Sequence, residues 1–245
     1  MSFLGRMTRL FLEGYPLLIE GLRSTLLLAS FGTVFGLFIA LFLITIQKLH
    51  VMDKEPLMSK VVKKTSSRLT KMYVAFFRGT PMLVQAMVFY YGLNQMGVRI
   101  GFFAAGLTVV SLNTAAYLTE VLKAGLNGLD VGQSEAALSL GMTHGQTYRL
   151  VLLPQALKNM VPAIGNELIV NIKDTAVLSV IGVGELFFMG RAMASRTFLY
   201  TEAFVIVSLV YLVTVLVMVE LLKRITRLSD KDASRLLSSH SEANV

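Results

Sequence analysis

The chain has 245 residues, of which 54% are hydrophobic and only 16% charged, whereas soluble domains average about 25% charged. Cysteine is absent, which excludes disulfides and thiolate metal sites, and the three histidines (His50, His144, His240) are too scattered to form a metal centre. The net charge of +8 reads as loop cations orienting a membrane protein, not as a nucleic-acid footprint, because the charges are segregated and residues 24–47, 79–98, 100–119 and 203–219 carry none.

About 20 apolar residues cross a bilayer as a helix, each rising ~1.5 Å through a core ~30 Å thick. The expected architecture is therefore an all-α polytopic membrane protein with about five transmembrane helices. Residues 1–21 are broken by Arg6, Arg9 and Glu13 and are expected to form an extracytoplasmic N-terminal segment. The first span covers 22–46. Its Gly32 and Gly36 have the small-xxx-small spacing of a close helix approach, or mark ordinary tolerance of glycine in the membrane. The next loop carries Lys48, Lys54, Lys60, Lys63, Lys64, Arg68 and Lys71 against Asp53 and Glu55. The positive-inside rule places it in the cytoplasm and the N-terminus outside. Further spans are expected at 73–96, 102–122, 160–183 and 203–222, completing a domain over 22–222. Residues 184–201 are expected outside. Residues 223–245 are expected to be a cytoplasmic, poorly ordered tail.

The cytoplasmic segment 123–158 is polar and punctuated by glycine. Glu135, Ala136, Ala137, Leu138 and Leu140 favour a short helix over 134–140, with Ser134 as its cap and Gly141 ending it in a left-handed conformation. A second helical stretch, 143–153, leads to Pro154, which opens the next turn. Such a helix pair either packs into a groove on a partner or lies on the membrane.

The pattern Glu135-Ala136-Ala137, Gly141 and Val151-Leu152-Leu153-Pro154 resembles the EAA signature of ABC importer permeases, with Val151 where isoleucine is usual. Phe77-Arg78-Gly79-Thr80-Pro81, Gly132-Gln133, Pro154-Gln155-Ala156-Leu157 and Lys173-Asp174-Thr175 resemble its polar amino acid subgroup. Ala176 replaces the usual serine, and Lys123 a common arginine. The resemblance spans 21–222 and implies a type I ABC importer permease with cytoplasmic coupling helices in a bacterial inner membrane. The implied partners are ABC ATPase subunits gripped through Glu135, Ala136, Ala137, Gly141 and Pro154, a second permease in a homodimer or heterodimer, and an extracytoplasmic substrate-binding protein. The chain contains no Gly-x-x-x-x-Gly-Lys-Ser/Thr loop. It is expected to bind no cofactor itself, leaving ATP-Mg to the partner ATPase, and to be no enzyme.

Ionisable and amide groups at membrane depth are expensive and point to function. Asn113, Tyr117 and Glu120 share one face of the third span, and Glu167, Asn171 and Asp174 one face of the fourth. Gln85, Asn113 and Asn171 fall near one depth, where they line a polar cavity or hydrogen-bond neighbouring helices as glue. The candidate substrate contacts are Gln85, Asn113, Tyr117, Asn171, Lys173, Asp174 and Thr175. Arg78 and Glu120 are level on adjacent spans and are expected to form a gating or structural ion pair. The expected substrate is a polar or charged amino acid, with cystine or a small amine-bearing analogue as alternatives. The rival function is a secondary carrier or channel working without ATP, for which the loop over 135–154 has no use.

Overall fold

The computed structural model describes residues 2–48 and 57–242, all outside strands. The elements are α1 (Phe3–Lys48), α2 (Leu57–Gly79), α3 (Met82–Gln95), α4 (Phe102–Asn127), α5 (Val131–Ser139), α6 (His144–Gln146), a π-helical turn (Thr147–Leu152), α7 (Leu153–Asp174), a 3-10 turn (Thr175–Ile181), α8 (Leu186–Thr197) and α9 (Tyr200–Glu242). Among the described residues, three helices are long and apolar enough to cross a membrane, and up to five spans result if each of two bent helix pairs counts as one. Loop residues Asp53, Lys54 and Glu55 lie outside the described residues.

The first 21 residues are not a separate segment, because α1 is continuous from Phe3 to Lys48. The charges that interrupt its apolar run are paired. Arg6 Nε lies 2.6 Å from Glu202 on α9, and Arg9 Nε lies 2.7 Å from Glu13 one turn on. Along its length α1 contributes to three apolar clusters. Leu10 and Leu18 pack with Leu186 and Met193 of α8 and Ile206 and Val207 of α9. Leu28 packs with Ala86, Val109 and Leu178. Ala40 and Ile44 pack with Leu118, Leu122, Ala156 and Met160. Gly32 and Gly36 let α1 and α4 touch closely: a Cβ on Gly36 would lie 2.9 Å from Thr114 Cβ, and one on Gly32 would strike Val110.

The expected second span, 73–96, is broken. The axes of α2 and α3 meet at 109°, with Pro81 in extended geometry at φ −66° and ψ 136° as the cap of α3. Proline donates no N–H, its ring crowds the preceding turn, and Gly79 and Thr80 add little helix preference to resist the break. The expected outer stretch 184–201 contains α8, which buries Leu186, Gly190, Met193 and Ala194. α9 continues to Glu242 where an irregular tail was expected, its residues 231–237 being rich in helix formers.

Candidate functional site: polar core and coupling loop

The break between α2 and α3 leaves carbonyls without helical partners, and a backbone opened at membrane depth must be satisfied inside the protein. Gln85 does this. Its Nε2 lies 2.9 Å from Phe77 O, Thr80 O and Thr80 Oγ1 alike. Its Oε1 accepts from Asn113 Nδ2 at 2.9 Å, and Asn113 also reaches Phe77 O at 3.4 Å. Asn171 forms a second node. Its Nδ2 donates to Thr33 Oγ1 on α1 and Thr114 Oγ1 on α4, both at 2.9 Å, and its Oδ1 is 3.2 Å from Thr114 Oγ1. Gln85 and Asn171 are buried. Thr175 is also buried, and its hydroxyl donates back to Ile172 O at 3.0 Å. The hydrogen bonds of the three amides run between helices, and Gln85 also lines the cavity at the break. Both ends of the Gln85 and Asn171 amides are hydrogen-bonded, because a broken helix and a three-helix crossing would otherwise bury unpaired groups. In the crook of the break, a cavity of about 370 Å³ is lined by Phe76, Phe77, Val84, Val88 and Phe89 with Thr80 and Gln85, mostly apolar walls.

The residues left open are the charged ones and Tyr117. Glu120 sits in a cluster wider than a pair. Arg78 Nη1 lies 3.9 Å from it, and Lys123 Nζ is closer at 3.2 Å. Arg78 also stands 5.6 Å above the Tyr117 ring, a cation–π arrangement. Lys123 was not expected here because the third span was ended at 122; α4 runs to Asn127, which puts Lys123 one turn below Glu120. Lys173 and Asp174 are exposed at the end of α7, and Glu167 is half-buried one to two turns earlier.

The sequence reading missed Glu185. It caps α8, accepting from Phe187 N at 2.8 Å and Phe188 N at 2.6 Å, and it accepts from Tyr211 Oη of α9 at 3.0 Å. Leu186 N donates to Thr25 Oγ1 of α1, so one fully buried carboxylate sits where α1, α8 and α9 meet. Glutamate is not among the usual N-cap residues, so the sequence carries no ready cap signal at Glu185.

The polar loop is built by caps. α5 starts at Val131, one turn before the expected Ser134, because Asp130 caps it, accepting from Gly132 N at 2.6 Å. It ends as expected: Gly141 takes φ +82°, Gly141 N reaches Leu138 O at 3.0 Å and Met142 N reaches Ala137 O at 3.2 Å, a Schellman closure that favours glycine. Thr143 and Gln146 then form a capping box. The next turn is π-helical, with Leu153 N bonding Tyr148 O five residues back. Pro154 follows in the first turn of α7, and the wider turn makes room for its ring against the carbonyl four residues back. Thr147 Oγ1, buried in this turn, has no hydrogen-bond partner among the described residues. Glu135, Ala136, Gly141 and Pro154 are exposed, as are the apolar Val131, Leu140 and Leu150, while Ala137 is buried against the protein's own body. The loop thus presents α5 outward, and Gly141 leaves open space beside it.

Residues 56–234 match the family described as the binding-protein-dependent transport system inner membrane component. The chain belongs to this family. The arginine transport system permease protein ArtQ of Bacillus subtilis (strain 168) is 36% identical to the permease over 213 residues, covering 86% of this chain and 92% of the relative. The glutamine transport system permease protein GlnP of Escherichia coli (strain K12) is 32% identical over 214 residues, again 86% and 92% of the two chains. A solved amino acid ABC transporter with histidines matches with a TM-score of 0.80 at 36% identity, over 93% of this chain and 98% of that one. The inward-facing MetNI methionine ABC transporter matches with a TM-score of 0.71 at 23% identity, over 87% and 96%, a likeness of fold. The permease thus has the all-helical fold of ABC importer membrane subunits.

Proposed function

We propose that the permease forms the translocation path of an ATP-driven importer for a polar or charged amino acid, working as a dimer with separate ABC ATPase subunits and an extracytoplasmic binding protein. The observation that carries this reading is the outward-facing α5 with its apolar neighbours Val131, Leu140 and Leu150, closed by a left-handed Gly141. An apolar helix exposed at the aqueous edge is covered by a partner or by the membrane surface, and the Glu135-Ala136-Ala137 and Gly141 pattern that resembles a coupling signature favours the partner. The names of relatives such as ArtQ and GlnP, arginine and glutamine transport permeases, favour an amino acid and speak for the importer over the ATP-independent carrier. ATP and magnesium belong to the partner. The ATPase biases two packings of the permease through the coupling loop, and the N-terminus lies on the extracytoplasmic side with the C-terminus in the cytoplasm. Tyr117, Lys173 and Asp174, the exposed candidates, are the proposed substrate contacts, and Arg78, Glu120 and Lys123 the proposed gate.

The test is co-purification of the tagged chain from native membranes, for wild type and Gly141→Asp. A stoichiometric ABC ATPase accompanying the wild type and lost in the variant is the expected result. Wild-type permease free of any ATPase in gentle detergent overturns the reading.

A further inference from the structure

Helix α2 has three distinct faces. One packs on the protein's own body through buried Thr70 and Val74, with Ser66 and Phe77 half-buried beside them. The second is apolar and exposed: Met58, Val61, Val62, Leu69, Met72 and Phe76 are all more than half open, from 51% at Val61 to 75% at Met58, and they recur at helical spacing to form one stripe. The third carries exposed Lys64, Arg68 and Lys71 at i, i+4 and i+7, about a quarter-turn round from the apolar stripe at 100° per residue.

Neither bulk phase suits this helix. Water leaves the apolar stripe exposed, and the hydrocarbon core rejects the row of cations. Both faces are accommodated at the edge of a bilayer, where the stripe sinks among acyl chains and the cations meet phosphate headgroups. The geometry brings α2 to such an edge. Its C-terminal end is near the middle of α4, with Phe77 O 3.4 Å from Asn113 Nδ2. From Asn113 to the end of α4 at Asn127 the axial rise is ~21 Å, while the 23 residues of α2 extend ~34 Å at ~1.5 Å per residue. A helix that long, turned 109° from α3, lies aslant and brings its part before Met72 to the cytoplasmic boundary.

We propose that α2 lies along the cytoplasmic membrane surface between Met58 and Met72 and binds anionic phospholipid headgroups through Lys64, Arg68 and Lys71. This rests on the permease being a membrane protein and not on its substrate or its ATPase.

The chain lacks cysteine, so Val61→Cys and Leu69→Cys each carry a single fluorophore on the full-length permease. The labelled protein is reconstituted into phosphatidylcholine vesicles bearing nitroxide on the acyl chains, with and without phosphatidylglycerol. Both labels are expected to be quenched by the acyl nitroxides, more strongly with phosphatidylglycerol present. The variant K64Q/R68Q/K71Q is expected to lose that increment and to retain roughly tenfold less phosphatidylglycerol through purification, with its thermal unfolding in neutral detergent unchanged. Labels that escape the lipid quencher but cross-link between two permease copies make the stripe an interface between copies and overturn the proposal. Labels shielded solely when an ATPase is added, or quenched by aqueous iodide in every vesicle, overturn it equally. Phosphatidylglycerol retention unaffected by the triple variant overturns the headgroup assignment.

Discussion

Gln85 and Asn171 illustrate how one residue type takes two structural roles at membrane depth. Gln85 closes a backbone break within 2.9 Å of two carbonyl oxygens, so Gln85→Leu leaves acceptors unpaired and is expected to cost about 1–3 kcal/mol, read as a lower melting temperature of the purified permease. Asn171 joins three helices through hydroxyls, and Thr33 also donates to Ala29 O at 2.7 Å. Asn171→Leu is therefore expected to cost less, about 1 kcal/mol. Melting unchanged with uptake abolished would restore Asn171 to the substrate site. At Glu120, the shorter contact to Lys123 is expected to give the larger coupling in double-mutant cycles, about 0.3–0.5 kcal/mol given the exposure of both side chains, with Arg78 coupling more weakly across 3.9 Å. Residue type and depth were legible in the sequence. Which acceptors each amide meets was not, because Asn171 finds Thr33 138 positions away.

At the scale of elements, local chemistry decides where helices stop. Asp130, Gly141 and the Thr143–Gln146 box bound the coupling segment. Gly141→Ala places a Cβ at φ +82° and is expected to cost about 1–2 kcal/mol, seen as faster hydrogen exchange over residues 131–142 while the membrane helices keep their protection. The Gly141 ending was legible because glycine at the end of an Ala-Leu run has one common use. The start differs by a turn because Ser134 and Asp130 are both competent caps, and in the structure it is Asp130 that accepts from Gly132 N. Likewise Gly79-Thr80-Pro81 announces a break, but hydropathy averaged across it merged α2 and α3 into one span. Its sharpness depends on Gln85 accepting the cost of the exposed carbonyls.

At the scale of the whole molecule, α1 is the spine on which the other helices gather, and its contact with α4 passes through Gly32 and Gly36. Gly36→Val is expected to push the two helices apart and cost about 1–3 kcal/mol, lowering the melting temperature more than the same change at Gly92, where an added Cβ meets nothing within 4 Å. If the two variants melt alike, the close approach is not what holds α1 in place. The pairing of Arg6 with Glu202 and the cap at Glu185 act at the same scale, fastening the ends of α1, α8 and α9 together.

The sequence by itself determined the membrane class, the approximate positions of the apolar stretches, the coupling segment with its glycine ending and the family to which the chain belongs. These follow from composition and from patterns within a few turns of one helix, where each residue acts through near neighbours. The tertiary structure alone decided that the N-terminal residues belong to α1, that the second apolar stretch is folded back at 109°, that the amides bond helices to one another, and that Lys123 joins Arg78 at Glu120. Each of these depends on which distant helix comes alongside. A buried polar group takes whatever partner that packing offers, because leaving it unpaired in an apolar interior costs more than any local preference.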